Sequence, residues 1–136
     1  QLRYSMLVRE PEKALFPLFD EYGTGVVSFS PLAQGQLSER YLAGIPTDSR
    51  ASHNGFLKVA DVEHNLPKIK QLHDIASRRG ESLSQMALAW QFRPGSPVTS
   101  VIVGVSSQEQ LLQNLGALSA PAFTAEELVE IDRVLG

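Results

Sequence analysis

Apolar and polar positions follow two periods along this chain, and the switches between them lay out its elements. Leu2, Tyr4 and Met6 alternate with polar neighbours, as a short strand or strand end would. A helical pattern follows over 12–22, with Leu15, Leu18, Phe19 and Tyr22 on one face and Gly23 ending it. Pro17 suits this helix if it begins near Ala14, because first-turn amides are unpaired anyway. Residues 25–30 then read as a strand, since Val26, Val27 and Phe29 suit a buried pleated segment and Gly23 and Gly25 mark a turn before it. Pro31 stops that strand because it has no N–H for a sheet ladder.

Residues 31 to about 61 form a long stretch rich in Gly, Pro and Ser, broken by Ile45-Pro46 and Gly55 and carrying Arg40 and Arg50. Loops of this length inside a compact domain are usually functional or disordered. Leu66, Ile69, Leu72 and Ile75 then mark a helix that stops at Arg78-Arg79-Gly80, with cations in the last turn and a glycine cap. Ser82-Leu-Ser-Gln85 resembles a capping box for a helix that turns Leu83, Met86, Ala87 and Trp90 inward before Pro94-Gly95. The near-continuous apolar run 98–103 predicts a strand of a parallel sheet covered on both faces. Ser106-Ser-Gln-Glu109 opens a helix through Leu111, Leu112 and Leu115. Thr124-Ala-Glu-Glu127 caps a last one with Leu128, Ile131 and Leu135 inward. Strands alternating with helices predict an α/β fold with a parallel sheet. So few strands leave sheet edges unpaired, so part of a larger barrel or open sheet is the better reading.

Composition narrows the partners. The 136 residues are 43% hydrophobic and carry a net charge of −3, which suits a globular domain and gives no electrostatic case for nucleic acid or an anionic membrane. Cysteine is absent, which excludes disulfides, thiol catalysis and cysteine-held metals within the chain. No long apolar run suggests a membrane span, and the polar, arginine-containing start is not a secretory signal, so a cytoplasmic location is the default. Gln1-Leu-Arg-Tyr-Ser-Met reads as the middle of a structured segment, which suggests a fragment.

Two strand ends carry candidate chemistry, because ligands of α/β folds sit at the C-terminal ends of strands. At the first, Phe29 can lie against a flat heterocycle while the amides of Leu32 to Gly35 face a pyrophosphate; a buried Phe before a plain turn is the competing reading. At the second, Gly104-Val-Ser-Ser107 opens a helix, which is either an anion site or ordinary N-capping by Ser106 or Ser107. Gln110, Gln113 and Asn114 share a helical face, either reading a nucleobase or sugar or simply solvated. Arg40 and Arg50 can clamp phosphates bidentately. His53, His64 and His73 lack metal-ligand spacing and read as surface positions. No Asp-Lys-His set accompanies Tyr4, Tyr22 or Tyr41, and there is no Gly-x-Ser-x-Gly elbow. The residues alone thus suggest a nucleotide-phosphate site with no visible catalytic centre.

Taken together, these blocks resemble the aldo-keto reductase superfamily over almost the whole chain. They run Gln1-x-x-Tyr-Ser-x-x-x-Arg9, Phe29-Ser-Pro-Leu-Ala-x-Gly35, Arg40-Tyr-x-x-Gly-Ile-Pro-x-x-Ser-Arg50, and Gly104-x-Ser106 with Glu109-Gln-Leu-x-x-Asn114. The Gly-Ile-Pro-x-x-Ser-Arg stretch is similar to the branch of potassium-channel β subunits and bacterial L-glyceraldehyde-3-phosphate reductases. The resemblance implies the C-terminal part, roughly the last three βα units, of a single (β/α)₈ TIM barrel that binds NADP(H), with NAD(H) still open. It implies that Gln1 holds the nicotinamide carboxamide, that Phe29 stacks on the ring, and that Ser30, Pro31, Leu32, Ala33 and Gln34 form the pyrophosphate loop. Arg40 and Arg50 would then meet phosphates, and Gly104, Ser106, Gln110, Gln113 and Asn114 would hold the adenosine end. Phe29 stands where the family usually has Tyr or Trp, Gln110 where many members have Arg, and Gln113 where a carboxylate is common.

The family's Asp, Tyr, Lys and His tetrad would lie upstream of Gln1, so the expected function is the cofactor-binding part of a reductase of small aldehydes and ketones. The segment alone is expected to be inactive, with the N-terminal barrel half as its partner and the oligomeric state open, a homo-oligomer included. The rivals are a non-catalytic nucleotide-sensing or partner-binding module and a truncated barrel remnant that self-associates through its edges.

Overall fold

Three short strands pair in parallel, which the long helical connections between them permit. The computed structural model describes residues 1–53 and 56–136, so Gly55 lies outside the described residues. The strands are Leu2–Arg3 (β1), Val26–Phe29 (β2) and Val98–Ile102 (β3), in the sheet order β1-β2-β3. Leu2 pairs with Ser28, and Arg3 with Phe29, which in turn pairs with Ile102. A register shift sits between Val26 and Val27. Gly25 is needed beside it, because a Cβ there would come within 2.9 Å of the Thr99 methyl.

The first helix, Pro11–Glu21 (α1), joins β1 to β2. A helical turn at Arg50–His53 (α2) and the helices Val59–Arg78 (α3) and Leu83–Trp90 (α4) separate β2 from β3. Gln108–Leu115 (α5) and Ala125–Leu135 (α6) follow β3. One face of the sheet meets this helix layer: Val26 and Val98 join Ile69, Leu72, Trp90 and Ile131 in a single core. Full burial of such a side chain contributes about 1.5–3 kcal/mol, so this face carries most of the fold's stability. On the other face Arg3, Phe29, Ser100 and Ile102 are exposed.

Local signals place several helix ends where the sequence puts them. Ser82 and Gln85 close a reciprocal capping box on α4, as Thr124 and Glu127 do on α6. Gly80, at φ +75°, ends α3 with the Glu81 amide bonded to the Ala76 carbonyl and the Gly80 amide to the Ser77 carbonyl.

Three expectations change. First, α1 starts at Pro11 and runs through Pro17 rather than beginning near Ala14. Pro17 and Lys13, whose carbonyl loses its intrahelical donor, are both exposed, so water can replace that bond. Second, the inward face of α1 carries Phe16 and Phe19, while Leu15, Leu18 and Tyr22 are 40, 48 and 74% exposed. The Glu12 carboxylate, bonded to Tyr4, Arg9 and Arg93, sets this rotation. Third, β3 is not covered on both faces, because it is an edge strand beneath a single helix layer and only Val98 is buried.

Among its described residues, the stretch after β2 is folded rather than loose. It holds 3₁₀ turns at Ala33–Gly35 and Glu39–Tyr41, and Tyr41, Ala51 and Leu57 pack with Val62 of α3 into a second small core.

Candidate functional site

In a parallel sheet every strand ends at the same edge, and here that edge is crossed by the row Arg3, Phe29 and Ile102. Phe29 is 37% exposed on the uncovered face, a flat apolar surface open to a ring. Extending the β1–β2 register by one residue sets Gln1 beside Val27, on the same face as Arg3 and one pleat below Phe29.

The chain then enters a strained loop. Ser30, Ala33 and Gln34 have φ of +55°, +47° and +60° without being glycine, at a cost of about 1–3 kcal/mol each. Pro31 and Ala33 are buried beneath it, and Leu32 packs against the main core. The loop's own turns use the amides of Ala33, Gly35, Gln36 and Leu37, which donate to the carbonyls of Ser30, Leu32, Ala33 and Leu32. They do not use the amides of Leu32 and Gln34. Two donors, rather than a continuous row from Leu32 to Gly35, are therefore free for an anion.

Side chains hold this loop from below. Ser38 Oγ donates to the Gly35 carbonyl at 2.6 Å. Gln36, 6% exposed, donates through Nε2 to the Ala33 carbonyl at 3.3 Å and accepts from Asn65 Nδ2 of α3 at 2.9 Å. Glu39 Oε1 accepts from the Leu83 amide at 2.8 Å, tying the next turn to the start of α4. A cleft of about 320 Å³ opens beside the loop, where Ala33 and Gln34 meet Arg3, Gln36, His64 and Asn65. Sequence reasoning passed over Arg3, Gln36 and Asn65, whose contacts span distant stretches and leave no periodic mark.

Arg40 and Arg50 lie on the following segment. Arg40 is held by Asp48, with Nη2 3.2 Å from both its carbonyl and its carboxylate, while Arg50 opens α2, exposed and unpaired among the described residues. At the end of β3, Gly104 has open space where a Cβ would sit. Ser107, not Ser106, caps α5 by accepting from the Gln110 amide. The Ser106 amide and hydroxyl both donate to Gln110 Oε1, at 2.9 and 3.0 Å, which leaves the Gln110 amino group directed elsewhere. The Gln113 carbonyl accepts from Gln85 of α4, and its side chain is exposed beside half-buried Asn114.

No tyrosine side chain lies on the Phe29 face of the sheet, although the Tyr4 amide donates to the Phe29 carbonyl at 3.3 Å. Tyr4 is buried against Phe16 and Trp90, Tyr41 fills the second core, and Tyr22 ends α1 before the opposite edge of the sheet. His73 is half-buried rather than on the surface, with Nδ1 3.8 Å from Glu39 Oε1. Among the described residues no group of His, Asp and Glu is placed to hold a metal ion, and no helix is long and apolar enough to cross a membrane. A larger cleft of about 440 Å³ lies between α1, α3 and α6, where Arg9 pairs with Glu12 and Asp132 and Lys68 donates to the Leu135 carbonyl.

Comparison with known proteins agrees with this architecture. The sequence profile of the Aldo/keto reductase family matches residues 1–135. L-glyceraldehyde 3-phosphate reductases of Escherichia coli O157:H7 and K12 are 41% and 40% identical over 98% of the chain. The chain spans about 40% of the length of these relatives. Among solved structures, a glycerol dehydrogenase from Gluconobacter oxydans superposes with a TM-score of 0.79 at 21% identity, a likeness of fold alone. The holo form of an aldo-keto reductase from Bacillus halodurans gives 0.70 at 29% identity. Each match covers 98% of this chain and 40% or 41% of the other. The three parallel strands and their helices are part of a (β/α)₈ barrel.

Proposed function

Because the chain belongs to the aldo/keto reductase family, we propose that it is the cofactor-holding, C-terminal part of a single barrel that reduces small aldehydes or ketones with NADP(H). The observation that carries this reading is the strained turn after β2, whose Leu32 and Gln34 amides are left free next to an exposed Phe29. Strained non-glycine backbone persists only where the surrounding structure over-determines it, and it clusters at ligand sites. These residues fit a dinucleotide: Phe29 offers its face to the nicotinamide ring, Gln1 an amide to the carboxamide, and the two loop amides a pyrophosphate. Arg40 and Arg50 supply positive charge toward phosphates, and Gly104, Ser106, Gln110, Gln113 and Asn114 form a polar shelf for the adenosine end.

When bound, the cofactor supplies a hydride. The chain's own part is to hold and orient it. Reduction also needs an acid at the carbonyl oxygen, and no phenol of this chain reaches the uncovered face beside Phe29. The family resemblance implies that this acid lies outside these residues, in the remainder of the barrel.

The test is titration of the chain with NADPH and with NADH, followed by the coenzyme's own fluorescence. Trp90 is a poor reporter, since it is fully buried between Arg93 and Tyr4. Saturable binding is expected, weakened about tenfold in Phe29→Ala, the loss of roughly one stacked ring. Without aldehyde turnover by the 136 residues alone, the assignment of the acid elsewhere stands. Absence of binding by either coenzyme overturns the proposal.

A further inference from the structure

The Ala33–Gln34 peptide is the strained one, and its orientation decides what the loop offers a ligand. A trans peptide points its carbonyl and its following N–H in opposite directions. All peptide bonds described here are trans. The Ala33 carbonyl is held inward by Gln36, through both the Gln36 backbone amide and its Nε2, each at 3.3 Å. The Gln34 N–H must therefore face away from Gln36, out of the loop.

Gln36 is in turn immobilised. Its side chain is buried, and its Oε1 accepts from Asn65 of α3 at 2.9 Å. With both ends of its amide bonded, Gln36 cannot rotate to release the Ala33 carbonyl without leaving a buried polar group unpaired. A flip of this peptide would otherwise let Gln34 leave the left-handed region, because it changes φ of Gln34 together with ψ of Ala33, while Ala33 keeps its φ of +47°.

We infer that Gln36 and Asn65 are positioning residues: a relay from α3 that locks the Ala33–Gln34 peptide so that the Gln34 amide is presented to an anionic diphosphate. That the anion belongs to a nicotinamide coenzyme rests on the function proposed above; the lock itself does not.

The experiment uses Gln36→Leu, Gln36→Glu, Asn65→Ala and the double variant Gln36→Leu/Asn65→Ala. Amide hydrogen exchange is read at Gly35 and Leu37, whose bonds to the Leu32 carbonyl close the turn. In each single variant exchange there accelerates about tenfold while β2 and α3 keep their protection. Gln36→Glu still accepts from Asn65 but cannot donate to Ala33, and it behaves like Gln36→Leu. The double variant is no worse than the worse single one, because the pair acts as a unit. NADPH affinity falls about fivefold in the same variants. Unchanged exchange at Gly35 and Leu37, or protection lost evenly through the whole chain, overturns the lock. If Gln36→Leu does not fold, Asn65→Ala decides alone, since it alters a half-buried position. Wild-type chain that binds no coenzyme yet shows the exchange effect removes the functional reading and leaves the lock intact.

Discussion

Glu12 stands where a phenol and two arginines converge. Tyr4 Oη donates to it at 2.5 Å, Arg9 makes a two-pronged pair at 2.9 and 2.7 Å, and Arg93 reaches it at 2.9 Å. Burial pushes the Glu12 carboxyl upward, but the bonds from Arg9 and Tyr4 outweigh it and hold the group below the usual carboxylate range. Burial, reinforced by the bond to Glu12, holds the Tyr4 phenol above its ordinary value. A depressed carboxylate contributes stability that is complete above its unfolded pKa, about 4.5, and is lost as pH falls through the lower folded value. Melting temperature is therefore expected to drop on acidification below about pH 4.5, and Glu12→Gln should flatten that slope while costing about 2 kcal/mol at neutral pH. Thermal unfolding of both proteins across this range checks it, and an unaltered acid slope in the variant refutes it. The sequence displays Tyr4, Arg9 and Glu12 within a few positions, but Arg93, the fourth member, arrives only through the fold.

Among the elements, those with local signals were legible. The capping boxes of α4 and α6 and the glycine end of α3 depend on residues three or four apart, so the sequence contains their whole mechanism. The face of α1 was not legible, because a charged residue inside its inward stripe has a buried network to join. Arg79 shows the same dependence on partners from afar. Its side chain is 3% exposed; it pairs with Glu81 at 2.9 Å and with Glu127, donates to the Pro121 carbonyl at 2.6 Å, and lies 3.9 Å over the Phe123 ring. This clamp fastens the approach to α6 onto the end of α3. Arg79→Ala strands Glu81 without its cation and is expected to cost about 3–5 kcal/mol, whereas breaking the exposed Arg78–Glu130 pair costs at most about 1 kcal/mol. Urea unfolding of the two variants distinguishes them; equal losses would contradict the role given to the clamp.

At the scale of the whole molecule, the two faces of the sheet are unlike. One is sealed by helices, while the other leaves Phe29 and Ile102 exposed, and β1 and β3 are both edge strands. Leu111, Leu112, Leu115 and Leu118 add exposed apolar surface from α5 onward. Unpaired edges and open apolar faces promote association. The chain by itself is expected to self-associate at micromolar concentration, read by light scattering after size exclusion. A stable monomer under those conditions would show that the uncovered face is tolerated in water.

The sequence by itself determined the order of the strands and the longer helices, the caps of α4 and α6, the parallel α/β class and the blocks that resemble aldo-keto reductases. Those features depend on spacings of a few residues or on a motif read in a line. Tertiary structure alone decided which face of α1 is buried, that β3 lies at an edge, and which amides of the turn after β2 stay free. It also brought Gln36 to Asn65, residues 29 apart, beneath Ala33. Such outcomes depend on which distant side chain arrives to complete a buried hydrogen bond, and no periodicity along the chain encodes that meeting.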